Sequence, residues 1–154
     1  MAQLTPDWRA RFQSFLSERI SMSLATASPA GSPRVADVYF VSDADLNLYF
    51  YSDPASRHTR NIQRDPRVAA TMRIESMDWH DIRGVQVEGI AEQMDDPADR
   101  DRAWRLMCDK FPFYESFTDV VAHLGMYRVT PHWIRWIDNS MSFGHKEDFD
   151  LVER

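Results

Sequence analysis

The chain has 154 residues, 44% of them hydrophobic and 27% charged, with a formal net charge of −6. This length suits one soluble globular domain, and the acidic balance disfavours nonspecific nucleic-acid binding, because a phosphate backbone is repelled overall. A single cysteine, Cys108, excludes an intrachain disulfide framework. With no membrane-length apolar run and no signal-peptide core in the first residues, a cytoplasmic protein without membrane contact is expected.

In chain order, Thr5 and Pro6 start a helix whose apolar face is Trp8, Phe12, Phe15, Leu16 and Ile20. Ser21–Ala27 reads as a strand, and the segment from Ser28 to Pro33 as a turn. Arg34–Val41 and Leu46–Ser52 read as two strands joined by a Ser42–Asp45 hairpin. Both are apolar or aromatic on both faces, as in a buried barrel wall. A short helix is predicted over Ser56–Arg64, then strands over Arg67–Ile74 and Ile82–Met94, where Gly84 and Gly89 suggest bulges or a close approach to the backbone. Asp96-Pro97 opens another helix with Trp104, Met107, Cys108 and Phe111 on one face, and Phe113–Leu124 adds a shorter one. Met126–Val129 and Trp133–Ile137 form one strand interrupted at Pro131, suiting an edge or bend, and the tail from Ser140 reads as loop. The pattern indicates a mainly β chain: an antiparallel barrel of six or so strands with peripheral helices.

Catalytic signatures are absent: there is no CxxC, HExxH, Walker loop, GxSxG or GxGxxG. The five histidines lack ligand spacing, and Asp78-Trp79-His80-Asp81 reads as a solvated loop rather than a metal site. Cys108 reads as a core thiol, and the acidic run Asp95–Asp101 as helix capping and surface charge. One feature departs from this background. Arg57, Arg60, Arg64 and Arg67 fall within eleven residues at and after a helix start, beside the aromatic strand Tyr49-Phe50-Tyr51. A helix N-terminus offers unpaired N–H groups, and arginine adds bidentate donors, so the segment suits a phosphate attached to a flat ring.

The succession PRVADVYFV, YFYSDPASRHTRNIQRDPRVA and DIRGVQVEGIAE resembles the pyridoxamine 5'-phosphate oxidase-like flavoproteins, split β-barrels that bind FMN at a homodimer interface. AWRLMCDKFP and WIDNSMSFGHK are similar to a small bacterial branch of that family, and the likeness runs from Trp8 to Lys146. The resemblance implies a single FMN-binding split-barrel domain over residues 1–154. It implies a flavin-dependent oxidoreductase acting on a small molecule, with a flavin-binding stress protein, or a split barrel using haem or deazaflavin, as alternatives. On this chain it implies that the backbone of Arg34, Val35, Ala36, Asp37 and Val38 borders the flavin ring, with Tyr51 and Ser52 facing the cofactor. Ser56, Arg57 and His58 grip the phosphate, where many members carry lysine in place of His58. Gln86 faces the flavin or the partner subunit, or is an ordinary outward-facing strand residue. Trp136 and Phe143 either stack near the ring or pack the barrel, and Asn139 bonds a loop or the ligand. Pyridoxamine 5'-phosphate oxidases themselves carry a C-terminal segment with arginine and histidine for the substrate phosphate. Asp138–Arg154 has no counterpart to it, so oxidation of vitamin B6 is not implied.

Overall fold

The computed structural model describes residues 2–151. In chain order the elements are β1 (Ala2–Gln3), α1 (Pro6–Ser17), β2 (Ser21–Ala27), β3 (Pro33–Tyr39), β4 (Val41–Ser42) and β5 (Leu48–Ser52). There follow α2 (Arg57–Arg64), β6 (Arg67–Ile74), β7 (Arg83–Gln93), α3 (Pro97–Lys110), α4 (Thr118–Val121), β8 (Gly125–Asp138) and β9 (Lys146–Asp150). The strands form one sheet in the order β1-β9-β8-β7-β6-β2-β3, with β5 on β8 and β4 on β5. Every pairing is antiparallel except β1 with β9. The sheet is not closed: β3 ends it, and approaches β5 without pairing to it.

The long strand β8 organises this topology. Its first half, to Val129, pairs β5 and its second half, from Trp133, pairs β9, both on the side away from β7. Pro131 falls in the gap between those two partners, where β8 is paired with β7 alone, so it meets a local edge and a bend as expected. It is tolerated there because the register slips between Glu88 and Gly89 of β7, leaving a bulge at the proline. Gly89 is obligatory in that arrangement, since a Cβ there would lie 2.5 Å from the Thr130 carbonyl oxygen. Gly84, by contrast, lies in unbroken register opposite Arg73 and Ile137.

The sheet wraps a core that includes Leu24, Phe40, Phe50, Val87, Tyr127 and Ile134. Helix α1, capped by Thr5 as expected, closes one end by inserting Phe12, Phe15 and Leu16. A second cluster, with Val41, Tyr49 and Met126 from the sheet, receives Ala103, Met107 and Cys108 from α3. Strand β5 is therefore buried on both faces, as its composition predicts. Strand β3 is not: Val35 is 73% and Tyr39 48% exposed, because no helix among the described residues lies over Val35 and Tyr39 is covered only in part, by Phe111 and Phe113. The hairpin after Ser42 belongs to β4 and β5 alone, and the chain changes pairing partner between Tyr39 and Val41. The tail is not all loop, since β9 adds to β8 and brings Phe149 into the core. Among the described residues no helix is long and apolar enough to cross a membrane.

Candidate functional site

Strands β3 and β5 approach without pairing, α2 packs against β3 and its His58 meets the end of β5, and local hydrogen bonds explain why the chain turns there. The Asp53 carboxylate accepts from the Ala55 N–H (2.8 Å), and the Ser56 N–H donates to the Asp53 carbonyl (3.0 Å). Ser56 is extended, and its hydroxyl caps the Thr59 N–H, the preferred geometry for a helix start. The Thr59 hydroxyl donates back to the Asp53 carbonyl (2.8 Å), so the turn is fixed from both sides. Farther along α2, buried Asn61 donates through Nδ2 to buried Thr26 Oγ1 (3.0 Å), tying the helix to β2.

The four arginines divide into different roles, and Arg64, exposed in the last turn of α2 and without a hydrogen-bond or ion-pair partner among the described residues, lies at the end of the helix away from the free N–H groups. Arg60 folds back onto the Ala55 carbonyl with two donors, at 2.9 and 2.6 Å. Arg67 forms a bidentate pair with Asp65, at 2.9 and 2.8 Å, which holds the Asp65 carboxyl down at about 2. Exposed Arg57 has no hydrogen-bond or ion-pair partner among the described residues, and the backbone N–H groups of Arg57 and His58 have no acceptor there. Those donors, at the positive end of the helix dipole, fit a phosphate monoester.

His58 is committed elsewhere. Its Nε2 lies 2.5 Å from Ser52 Oγ at the end of β5, and 3.3 Å from Ser56 Oγ. Burial lowers its pKa, so the imidazole is neutral at pH 7 and contributes a hydrogen-bonding group rather than a charge. The cationic part of an anion grip therefore falls to Arg57.

The other predicted positions separate by strand phase. Arg34, Ala36 and Val38 lie opposite Thr26, Leu24 and Met22 of β2, on the face turned toward the core. Val35 and Asp37 are on the outer face, where the Ser23 hydroxyl donates to Asp37 (2.6 Å). Gln86 shares this face, between Thr71 and Arg135 on the neighbouring strands. With Val35, Ala25 and Trp133 these residues line an open groove of about 400 Å³. Arg135 lies over the Trp133 ring at 4.9 Å and pairs with both oxygens of Asp148, at 2.6 and 2.8 Å.

Four positions do not join the opening. Tyr51 alternates with Ser52 on β5, so it faces Trp104 and Tyr114 on the far side of the strand. Trp136 is 6% exposed and meets Phe12 and Phe15 edge-on, at 5.7 and 5.2 Å, so it is a core residue rather than a ring-stacking surface. Asn139 bonds a loop: its side-chain oxygen accepts from the Gly144 N–H (2.9 Å). Phe143 is exposed beside Trp79, 5.5 Å between ring centroids. The sequence reading missed Asn61 and Thr59, which position α2. Both are polar residues on the buried side of a short helix, a placement visible only once the face of α2 turned toward β2 is known.

The pyridoxamine 5'-phosphate oxidase family model matches residues 9–136. The chain belongs to the pyridoxamine 5'-phosphate oxidase family. Its split-barrel fold is shared with a haem-binding protein from Mycobacterium smegmatis, at 16% identity and a TM-score of 0.76 over 98% of this chain and 60% of that one. It is also shared with HutZ, a haem storage protein from Vibrio cholerae, at 19% identity and a TM-score of 0.68, covering 84% of this chain and 91% of the other. A Clostridium acetobutylicum protein related to general stress protein 26 matches at 11% identity with a TM-score of 0.70, over 96% of each chain. In this family member the strand with the unpaired edge, β3, is in contact with the helix whose start carries the free donors, α2.

Proposed function

We propose that the protein binds FMN in the opening between β3 and β5 and acts as a flavin-dependent oxidoreductase on a small molecule. The observation that carries this reading is the pairing of a free strand edge with an uncommitted cationic helix start. An end strand leaves every second residue's N–H and C=O unpaired, which suits the polar edge of a flat ring. Arg57 and the first N–H groups of α2 would hold the phosphate, with neutral His58, braced by Ser52, beside them. When bound, flavin supplies the hydride and electron chemistry. The protein supplies binding, orientation and exclusion of water, in keeping with a sequence that lacks an acid–base motif.

The working unit in this reading is a homodimer with the cofactor at the subunit boundary. Val35 and Tyr39 expose apolar surface on the end strand, and a second copy would cover it. A haem-binding reading is the second possibility, favoured by what the M. smegmatis and V. cholerae proteins bind. The visible spectrum of freshly purified protein separates the two. The expected result is the paired near-ultraviolet and blue bands of oxidised flavin, retained through desalting after soaking with FMN. A Soret band instead, or loss of all colour on desalting, overturns the FMN assignment. Reduction of the bound flavin by NADH or NADPH, followed by rapid reoxidation with an acceptor, supports turnover. A bound flavin that neither reductant reduces makes the protein a flavin carrier or sensor.

A further inference from the structure

Across β5 from Ser52 lies a cavity of about 380 Å³ that the flavin reading does not use. Strand alternation creates it: Ser52 turns toward His58, while Tyr51 turns the other way and forms part of the lining. Trp104 of α3 and Val121 of α4 supply the sides, and Arg100, Asp95, Asp101 and Thr118 complete the polar lining. The rings are held edge to face, Tyr51 to Trp104 at 6.0 Å and 73°. Tyr114 supports both, at 5.9 Å from Tyr51 and 6.4 Å from Trp104.

The polar groups here are uncommitted. On α3, Arg102 pairs with Asp99 and Arg105 with Asp101, each one turn back along the helix. Arg100 has no such partner among the described residues, and it stands close enough to Tyr51 for its charge to act on the phenol. The Tyr51 hydroxyl likewise has no hydrogen-bond partner there, and burial raises its pKa to about 12, so it remains a donor at any physiological pH. An aromatic cavity with a guanidinium and a phenol converging on it has the composition of a ligand site.

We propose that this cavity binds a small planar aromatic monocarboxylate. The ring would lie against Trp104 and Tyr51, and the carboxylate would take its hydrogen bonds from Arg100 and the Tyr51 hydroxyl. The volume is at the lower end for ligand pockets, suited to one or two fused rings and too small for a dinucleotide. Asp101 is held by Arg105, so Arg100 is the one unpaired cation of the lining to set against the ligand charge; it matches a single negative charge, whereas a doubly charged phosphate ester would face Asp95 with no second cation. The site is separated from the split by β5 and does not depend on the cofactor assignment.

The test is calorimetric titration of the full chain with 4-hydroxybenzoate and with indole-3-acetate, each beside a neutral analogue lacking the carboxylate. One-to-one binding is expected for at least one acid. Arg100→Gln, or loss of the ligand's carboxylate, should weaken it roughly tenfold or more, the worth of one charge-assisted hydrogen bond. Tyr51→Phe should weaken it by a few-fold, and ligand-induced quenching of tryptophan fluorescence should largely disappear in Trp104→Phe. The circular dichroism spectrum and urea midpoint of Arg100→Gln should match wild type, which shows that the variant is folded whatever cofactor the protein binds. No saturable binding of either acid up to about 10 mM, an affinity weaker than any specific site of this kind, overturns the proposal. So does wild-type affinity in Arg100→Gln.

Discussion

Replacing Arg57 with alanine separates a phosphate grip from a solvated surface charge. Arg60 and Arg67 are already engaged within the protein, whereas the Arg57 guanidinium is exposed and unpartnered among the described residues. A charge-assisted hydrogen bond contributes about 1.5–3 kcal/mol, and solvent exposure places this one at the lower end. Arg57→Ala should therefore raise the Kd for FMN roughly tenfold, measured by quenching of flavin fluorescence on titration. Riboflavin, which has the ring but no phosphate, should bind wild type and variant alike. The FMN effect should also shrink as ionic strength rises, because the interaction lies at the surface. Equal losses for FMN and riboflavin, or no loss for either, would refute the placement of the phosphate at the start of α2.

Gly89→Ala should lower stability by about 1–3 kcal/mol, read as a shift in the urea midpoint, because the new methyl meets the Thr130 carbonyl. An unchanged midpoint would mean that the bulge at Pro131 can relax. The His58 pKa is depressed in the folded state by burial, so unfolding takes up a proton as the pH falls through the ordinary histidine range. The stability that the neutral imidazole contributes is present above about pH 6.5 and is lost on acidification. His58→Gln should flatten the stability profile between about pH 7 and 5, and a profile as steep as wild type places the titrating group elsewhere. Val35→Glu puts a charge in the middle of the uncovered face of β3. Sedimentation velocity should show a wild-type dimer and a monomeric variant, and a dimer that persists in the variant places the interface on another surface.

Much of this architecture is legible in local sequence. Thr5-Pro6 starts α1, Ser56 caps α2, and the β2, β6 and β7 strands fall where their alternation and turn residues place them. The failures have a common cause in long-range pairing. An end strand with an apolar outer face reads like a strand buried on both sides, so β3 looks internal until its missing neighbour is seen. The acidic stretch containing Phe149 turns few apolar side chains to the core, so β9 reads as loop. The candidate site shows the same limit. The arginine cluster is plain in the sequence, but that Arg60 and Arg67 are engaged while Arg57 stays free at the helix start depends on where Ala55 and Asp65 lie. Tyr51 and Ser52 are adjacent in the chain, yet they serve opposite sides of β5.

The free edge of β3 brings a hazard as well as an opportunity. A row of unpaired backbone groups that can receive a ligand can equally receive a strand from a stray neighbour and seed aggregation. The ends of this edge are guarded: Pro33 offers no N–H, and Arg34 and Asp37 set opposite charges a few residues apart, which penalises an unmatched strand in most registers. Where Val35 and Ala36 lie between those guards, the edge is uncharged. If β3 borders the flavin as proposed, selection acting on this strand has to satisfy two demands at once, admitting one flat partner while turning away every other.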